Sequence, residues 1–225
     1  MIEKYYDGAI EQVAAGLGTV EKNYLLVRYS GQFSVENLND TKQLEKNEDI
    51  FVQVHEFETG EITCAYEPYL TMICDGFRRY MTGTFEEFME TCDVYYLHRP
   101  VLLGYFNQDN TGREEIILLD EVAYEQERML AALERMLCAI ADRHPVLFVL
   151  NRFQLASKST MQLTARFLKC ENCNIGLVLG VSDIQAMPEF LVQDWEMLYE
   201  TLDDGSKIYP VSYTHLRAHE TLMNL

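Results

Sequence analysis

Pro145-Val-Leu-Phe-Val-Leu150 runs into Asn151-Arg152-Phe-Gln-Leu-Ala156, then Ser157-Lys-Ser-Thr-Met-Gln-Leu163, and later Ile175-Gly-Leu-Val-Leu-Gly180. The stretch 146–150 is apolar at every position. A strand with one wet face alternates, whereas an unbroken apolar run needs cover on both faces, as a central parallel strand has. A helix over 157–169, carrying Met161, Leu163, Phe167 and Leu168 in phase, separates it from a second run of the same kind at 175–180. Strand, helix, strand in this order predicts an α/β fold: a mainly parallel sheet with helices on both faces.

The pattern continues outward. Upstream, the spacing of Val122, Met129, Leu133, Met136, Leu137 and Ile140 predicts a helix over 120–143 with a solvated acidic face of Glu121, Glu125 and Glu134. Residues 92–112 read as irregular, with His98-Arg-Pro100 and Asn107 to Gly112 as loop signals. Thr84 is placed to cap a helix whose first turn holds Glu86 and Glu87, and a helix to about Met81 starts at Pro68. Strands are expected at Tyr24–Tyr29 and 49–57, the latter with Phe51, Gln53 and His55 on one face and Ile50, Val52 and Val54 on the other. A helix over 8–22 uses Ile10, Val13, Ala14, Leu17 and Val20, and 34–47 carries a weak helical pattern. A helix near 188–201 and a short strand at 207–211 complete the order. The long helix packs across the one candidate boundary near residue 112, so a single domain over 5–210 is expected.

The chain has 225 residues, 48% hydrophobic and 24% charged, which excludes disorder and a fibrous repeat. Its net charge of −18 would repel a nucleic-acid backbone, so nucleic acid is not an expected partner. No apolar run is long enough for a membrane span. Six scattered cysteines in a chain of this size read as reduced thiols of a cytoplasmic protein.

The order and spacing over roughly 5–211 resemble the signalling P-loop ATPases of the STAND/AAA type that precede output domains in bacterial regulators. In those proteins a buried strand ends in two acids and is followed by a short loop, a Ser-rich helix start and a second buried strand. Tyr66-Glu-Pro-Tyr69 is similar to the Pro-Tyr segment after the family's second strand, and Ser30-Gly31 stands where the family places its phosphate loop. A working loop reads G-x-x-x-x-G-K-[S/T], with glycines for close backbone approach, a lysine for phosphate charge and a hydroxyl for Mg²⁺. Here the matching positions read Gly31-Gln-Phe-Ser-Val-Glu36-Asn37-Leu38, and the two acids are Asn151 and Arg152. A carboxylate facing a triphosphate repels it, and the compensating lysine is gone. The resemblance therefore implies a P-loop-like but incomplete, non-catalytic module with no obligatory cofactor. ATP or ADP could still meet Gly31, Ser34, Asn37, Asn151 and Arg152. The expected partners are a downstream output domain, such as a diguanylate cyclase or a helix-turn-helix regulator, and a second copy of the module. The alternatives are an active ATPase with an atypical phosphate site and an interaction scaffold without nucleotide.

Other features read more plainly. Gly31 is first an ordinary turn glycine, and Gly16-Leu-Gly18 precedes its strand instead of following it. Cys170-Glu-Asn-Cys173 lacks a second pair or a neighbouring histidine in sequence, so no metal site is expected there. His55 reads as a packed or surface strand residue, His98 as a loop residue beside Arg99, and Tyr95-Tyr96 and the Met129/Met136 stripe as core. The segment 211–225, with Val211-Ser-Tyr-Thr-His-Leu-Arg-Ala-His-Glu-Thr221, resembles a translated sequencing-adapter peptide. That likeness implies an artefactual tail, and natural protein continuing beyond Pro210. His215 and His219 are excluded from function on that ground.

Overall fold

A computed structural model describes residues 2–18, 24–29, 33–35, 49–58, 65–108, 116, 122–170, 173–182, 192–203 and 209–210. Among the described residues five strands, β1 (Tyr24–Tyr29), β2 (Phe51–Glu56), β3 (Val146–Asn151), β4 (Ile175–Ser182) and the two-residue β5 (Tyr209–Pro210), form one sheet in the order β2-β3-β4-β1-β5. Every pairing is parallel, with Val146 opposite both Phe51 and Ile175, and Tyr24 opposite Leu177. The expected α/β architecture is the one observed. β3 is buried along its whole length, as its unbroken apolar run requires.

Alternate side chains of the strands divide two cores. On one face Leu26, Val146, Phe148, Leu150, Leu177 and Leu179 meet α2 (Tyr69–Tyr80), α3 (Phe85–Thr91), α4 (Arg99–Phe106), α5 (Ala123–Ala141), α6 (Lys158–Lys169) and α7 (Val192–Asp203). On the other, Leu25, Val27, Leu147, Val149 and Val178 pack against Tyr6, Ile10 and Val13 of α1 (Ile2–Gly16). β2 and the residue before it divide in the same way: Phe51 enters the first core, while Ile50, Val52 and Val54 lean on the second.

Helix α1 lies directly on β4. A Cβ on Gly176 would come within 2.6 Å of the Val13 side chain, and one on Gly180 would overlap the Tyr6 hydroxyl. These glycines, four apart on one strand face, are the seat on which α1 rests.

The local signals explain most of the boundaries. Thr84 forms a full capping box with Glu87, the Thr84 Oγ1 accepting from Glu87 N at 3.2 Å and Glu87 accepting from Thr84 N at 2.9 Å. Ser157 caps α6 by accepting from Thr160 N at 3.2 Å. Arg166 ties α6 to α5 through Glu134 at 2.6 Å and Glu127 at 2.7 Å.

Four expectations need correction. Residues 99–106 are a helix, because Pro100 in a first turn starts a helix as readily as it interrupts one. Helix α1 begins at residue 2, since Tyr6, Ile10 and Val13 form one buried stripe. Val122 stands before α5 and is 53% exposed, and Tyr96 is 64% exposed, so neither belongs to the core. Glu125 is hydrogen-bonded to His98, and Glu134 is ion-paired with Arg166, instead of both being freely solvated. The expected segment at 34–47 lies, beyond residue 35, outside the described residues, as does the 211–225 tail.

Candidate functional site

Open parallel sheets bind ligands outside the carboxyl ends of their strands, where connections leave in different directions. β1, β2, β3 and β4 end here at Tyr29, Glu56, Asn151 and Ser182. β4 sits between β1 and β3, so a segment leaving β1 and a pair leaving β3 are two strand spacings apart, about 10 Å.

Asn151, fully buried at the end of β3, is the hub. Its Oδ1 accepts from the Tyr6 hydroxyl at 2.6 Å and from the Tyr29 hydroxyl at 2.7 Å, and its Nδ2 donates to the Phe33 carbonyl at 3.2 Å. Two phenol donors on one oxygen fix which way the amide points. Phe33 stacks on Tyr6 with ring centres 4.9 Å apart and meets Tyr29 edge-on at 5.8 Å. Burial pushes the Tyr6 phenol well up, with the Tyr29 and Glu56 charges adding to it. Burial raises the Tyr29 phenol too, against the opposing pull of Asn151 and Arg152. Both therefore remain neutral donors at neutral pH.

Glu56 is the second hub. It accepts from Ser34 Oγ at 2.8 Å and Val35 N at 3.2 Å, and pairs with Arg152 at 3.0 Å. Arg152 takes a left-handed backbone (φ 52°), which turns the chain sharply off β3 into a short 3₁₀ turn, Phe153–Leu155. Gln154 in that turn donates its Nε2 to the Ser182 carbonyl at 3.0 Å and accepts from Ser182 N at 3.3 Å, stitching the end of β4 to the loop after β3.

Of the residues expected at a remnant nucleotide site, Ser34, Asn151 and Arg152 converge here, whereas Gly31 and Asn37, with Glu36 and Leu38, lie outside the described residues. Glu56, Tyr6, Tyr29, Phe33 and Gln154 were not legible as site residues. Only the positions of Tyr29 and Glu56, each at the end of a strand, could have flagged them.

The described groups at this edge satisfy one another. The carboxylate is neutralised by a guanidinium, the amide holds two phenols, and the end of β3 offers an amide and a cation where Mg²⁺ would need carboxylates. The Tyr66–Tyr69 segment is docked on α6: Tyr66 N donates to Ser159 Oγ at 3.3 Å, Thr160 Oγ1 to the Glu67 carbonyl at 2.8 Å, and the Tyr69 and Thr164 hydroxyls lie 2.6 Å apart.

The remaining histidines resolve differently. His98, expected in a loop, is buried just before α4 with its Nε2 2.6 Å from Glu125. His55 packs edge-on against Phe57 at 4.5 Å, and burial lowers its pKa against the opposing charge of Glu56. Among the described residues, no helix is long and apolar enough to cross a membrane. No family model matches this chain, and neither a curated protein nor a solved structure matches it.

Proposed function

We propose that this chain is a non-catalytic, P-loop-ATPase-like regulatory module of a larger cytoplasmic bacterial signalling protein. Its work is to pass a binding event to an output domain, such as a diguanylate cyclase or a transcriptional regulator. The observation that carries the proposal is the bond from Asn151 Nδ2 to the Phe33 carbonyl. It joins the segment after β1 to the end of β3 at the carboxyl edge, which is where a phosphate loop and metal-binding acids would have to meet. In place of that machinery stand an asparagine holding two tyrosines and an arginine paired with Glu56.

Such an arrangement favours regulation over turnover. A partner that binds better when this edge is opened than when it is closed would shift the population and move whatever is attached. A second reading, an interaction scaffold without nucleotide, draws support from a different surface. Tyr96, Leu97, Val122 and Tyr124 are all more than half exposed, and Arg128 lies over the Tyr95 and Tyr124 rings at 4.0 and 4.3 Å.

Both readings predict no phosphate release from Mg²⁺–ATP above a protein-free blank. Steady turnover that Arg152→Ala alters, with the fold intact by circular dichroism, would overturn both in favour of an active ATPase with an atypical site.

A further inference from the structure

At the opposite, amino-terminal edge of the sheet, three thiols from two distant stretches of chain meet. Cys138 lies in the last turn of α5, Cys170 caps the end of α6, and Cys173 lies two residues before β4. Their sulfur atoms all lie within 4.8 Å of one another, and each residue is half-buried. The frame around them is tight. Val146 N, opening β3, donates to the Asn174 carbonyl at 2.9 Å, and Cys170 N donates to the Phe167 carbonyl at 3.1 Å. Cys173 Sγ reaches toward the Cys170 carbonyl at 3.9 Å, and none of the three is in a disulfide. The sequence offered only Cys170 and Cys173. The fold supplies Cys138 from 32 residues away.

We propose that Cys138, Cys170 and Cys173 bind one thiophilic d¹⁰ cation, with zinc as its ordinary occupant and water in the fourth position. The donor set is all sulfur, which selects soft or borderline cations over Mg²⁺ or Ca²⁺. Tetrahedral zinc with Zn–S bonds of about 2.3 Å needs sulfurs about 3.8 Å apart. Thiols already within 4.8 Å reach that spacing by rotamer adjustment without a change of fold. Each ligand binds as thiolate, so loading sends up to three protons to solvent, and the loaded site carries one net negative charge. In place, the ion fastens the last turn of α5 to the α6–β4 connection. The site is independent of the regulatory reading, being at the other edge of the sheet.

Cobalt(II) titrated into the reduced, full chain tests it. The expected result is saturation at one equivalent, with thiolate-to-cobalt charge-transfer absorption and tetrahedral d–d bands, reversed by zinc. Cys138→Ser is expected to weaken binding by at least about tenfold and reduce the charge-transfer band, with Cys170→Ser alike. Cys92→Ala, outside the three-sulfur cluster, is expected to leave both unchanged. Circular dichroism of each variant separates loss of ligand from loss of fold, and the parent titration needs no variant at all. Cobalt held by His215 and His219 would lack the sulfur band. Absence of a sulfur band in the parent, or a Cys138→Ser variant that binds like the parent, would overturn the proposal.

Discussion

Asn151 joins α1, β1 and the segment after β1 at the carboxyl edge, because Tyr6, Tyr29 and Phe33 all bond to its one amide. Replacing it with leucine keeps approximate volume but strands the Tyr6 and Tyr29 hydroxyls and the Phe33 carbonyl. A buried donor left without a partner costs about 1–3 kcal/mol. Asn151→Leu is therefore expected to lose more than Tyr6→Phe, which removes a single donor and costs about 1 kcal/mol, by urea denaturation of the two side by side.

His55 gives a second residue-scale test. Burial holds its folded pKa below the unfolded value of about 6.5. Between the two values the unfolded chain takes up a proton that the folded chain refuses. Stability from this group is thus complete above about pH 6.5 and is lost as pH falls through that window. Denaturation midpoints measured from pH 7 to pH 5 are expected to fall less steeply in His55→Gln than in the parent. An equal slope would show that His55 is not the group responsible.

At the scale of elements, α1 is held by contact with bare strand backbone. Gly180→Ala drives a methyl into the Tyr6 hydroxyl and toward Asn151 Oδ1 at 2.7 Å, while leaving the strand free to pair. The expected cost is about 1–3 kcal/mol of overpacking, read as a lower denaturation midpoint. Native-state hydrogen exchange is expected to speed most in α1, and an unchanged α1 would contradict this seating. Elements were legible where one local rule decides them. The run 146–150 announced a buried strand, the Met129–Ile140 stripe a long helix, and Thr84 with Glu87 a cap. They were illegible where two local rules compete or where a partner is remote. His98-Arg-Pro100 reads equally as a loop or a helix start, and burial of the Val101, Leu102 and Tyr105 face decides for the helix. Glu125 looks solvated until α5 brings it to His98, and Cys170-x-x-Cys173 looks incomplete until Cys138 arrives.

For the whole molecule, the sheet explains why part of the candidate site could be read from sequence and part could not. Ser34, Asn151 and Arg152 were named through the resemblance, which places its site at or just after strand ends, and parallel strands end at a common edge. Tyr6 and Glu56 belong to elements with no nucleotide-site signature, and only the strand order brings them to that edge. The aromatic ring contacts and the Glu56–Arg152 pair then fill it with the chain's own groups.

The direct test is a thermal-shift titration of the chain with ATP and ADP, each with and without Mg²⁺. A ligand that binds only the folded state must raise the melting temperature as its concentration passes the dissociation constant. Adding Mg²⁺ to either nucleotide is expected to produce no shift beyond that of Mg²⁺ alone. A saturable, Mg²⁺-dependent rise would mean that metal and triphosphate are held together in the folded protein, and would contradict it.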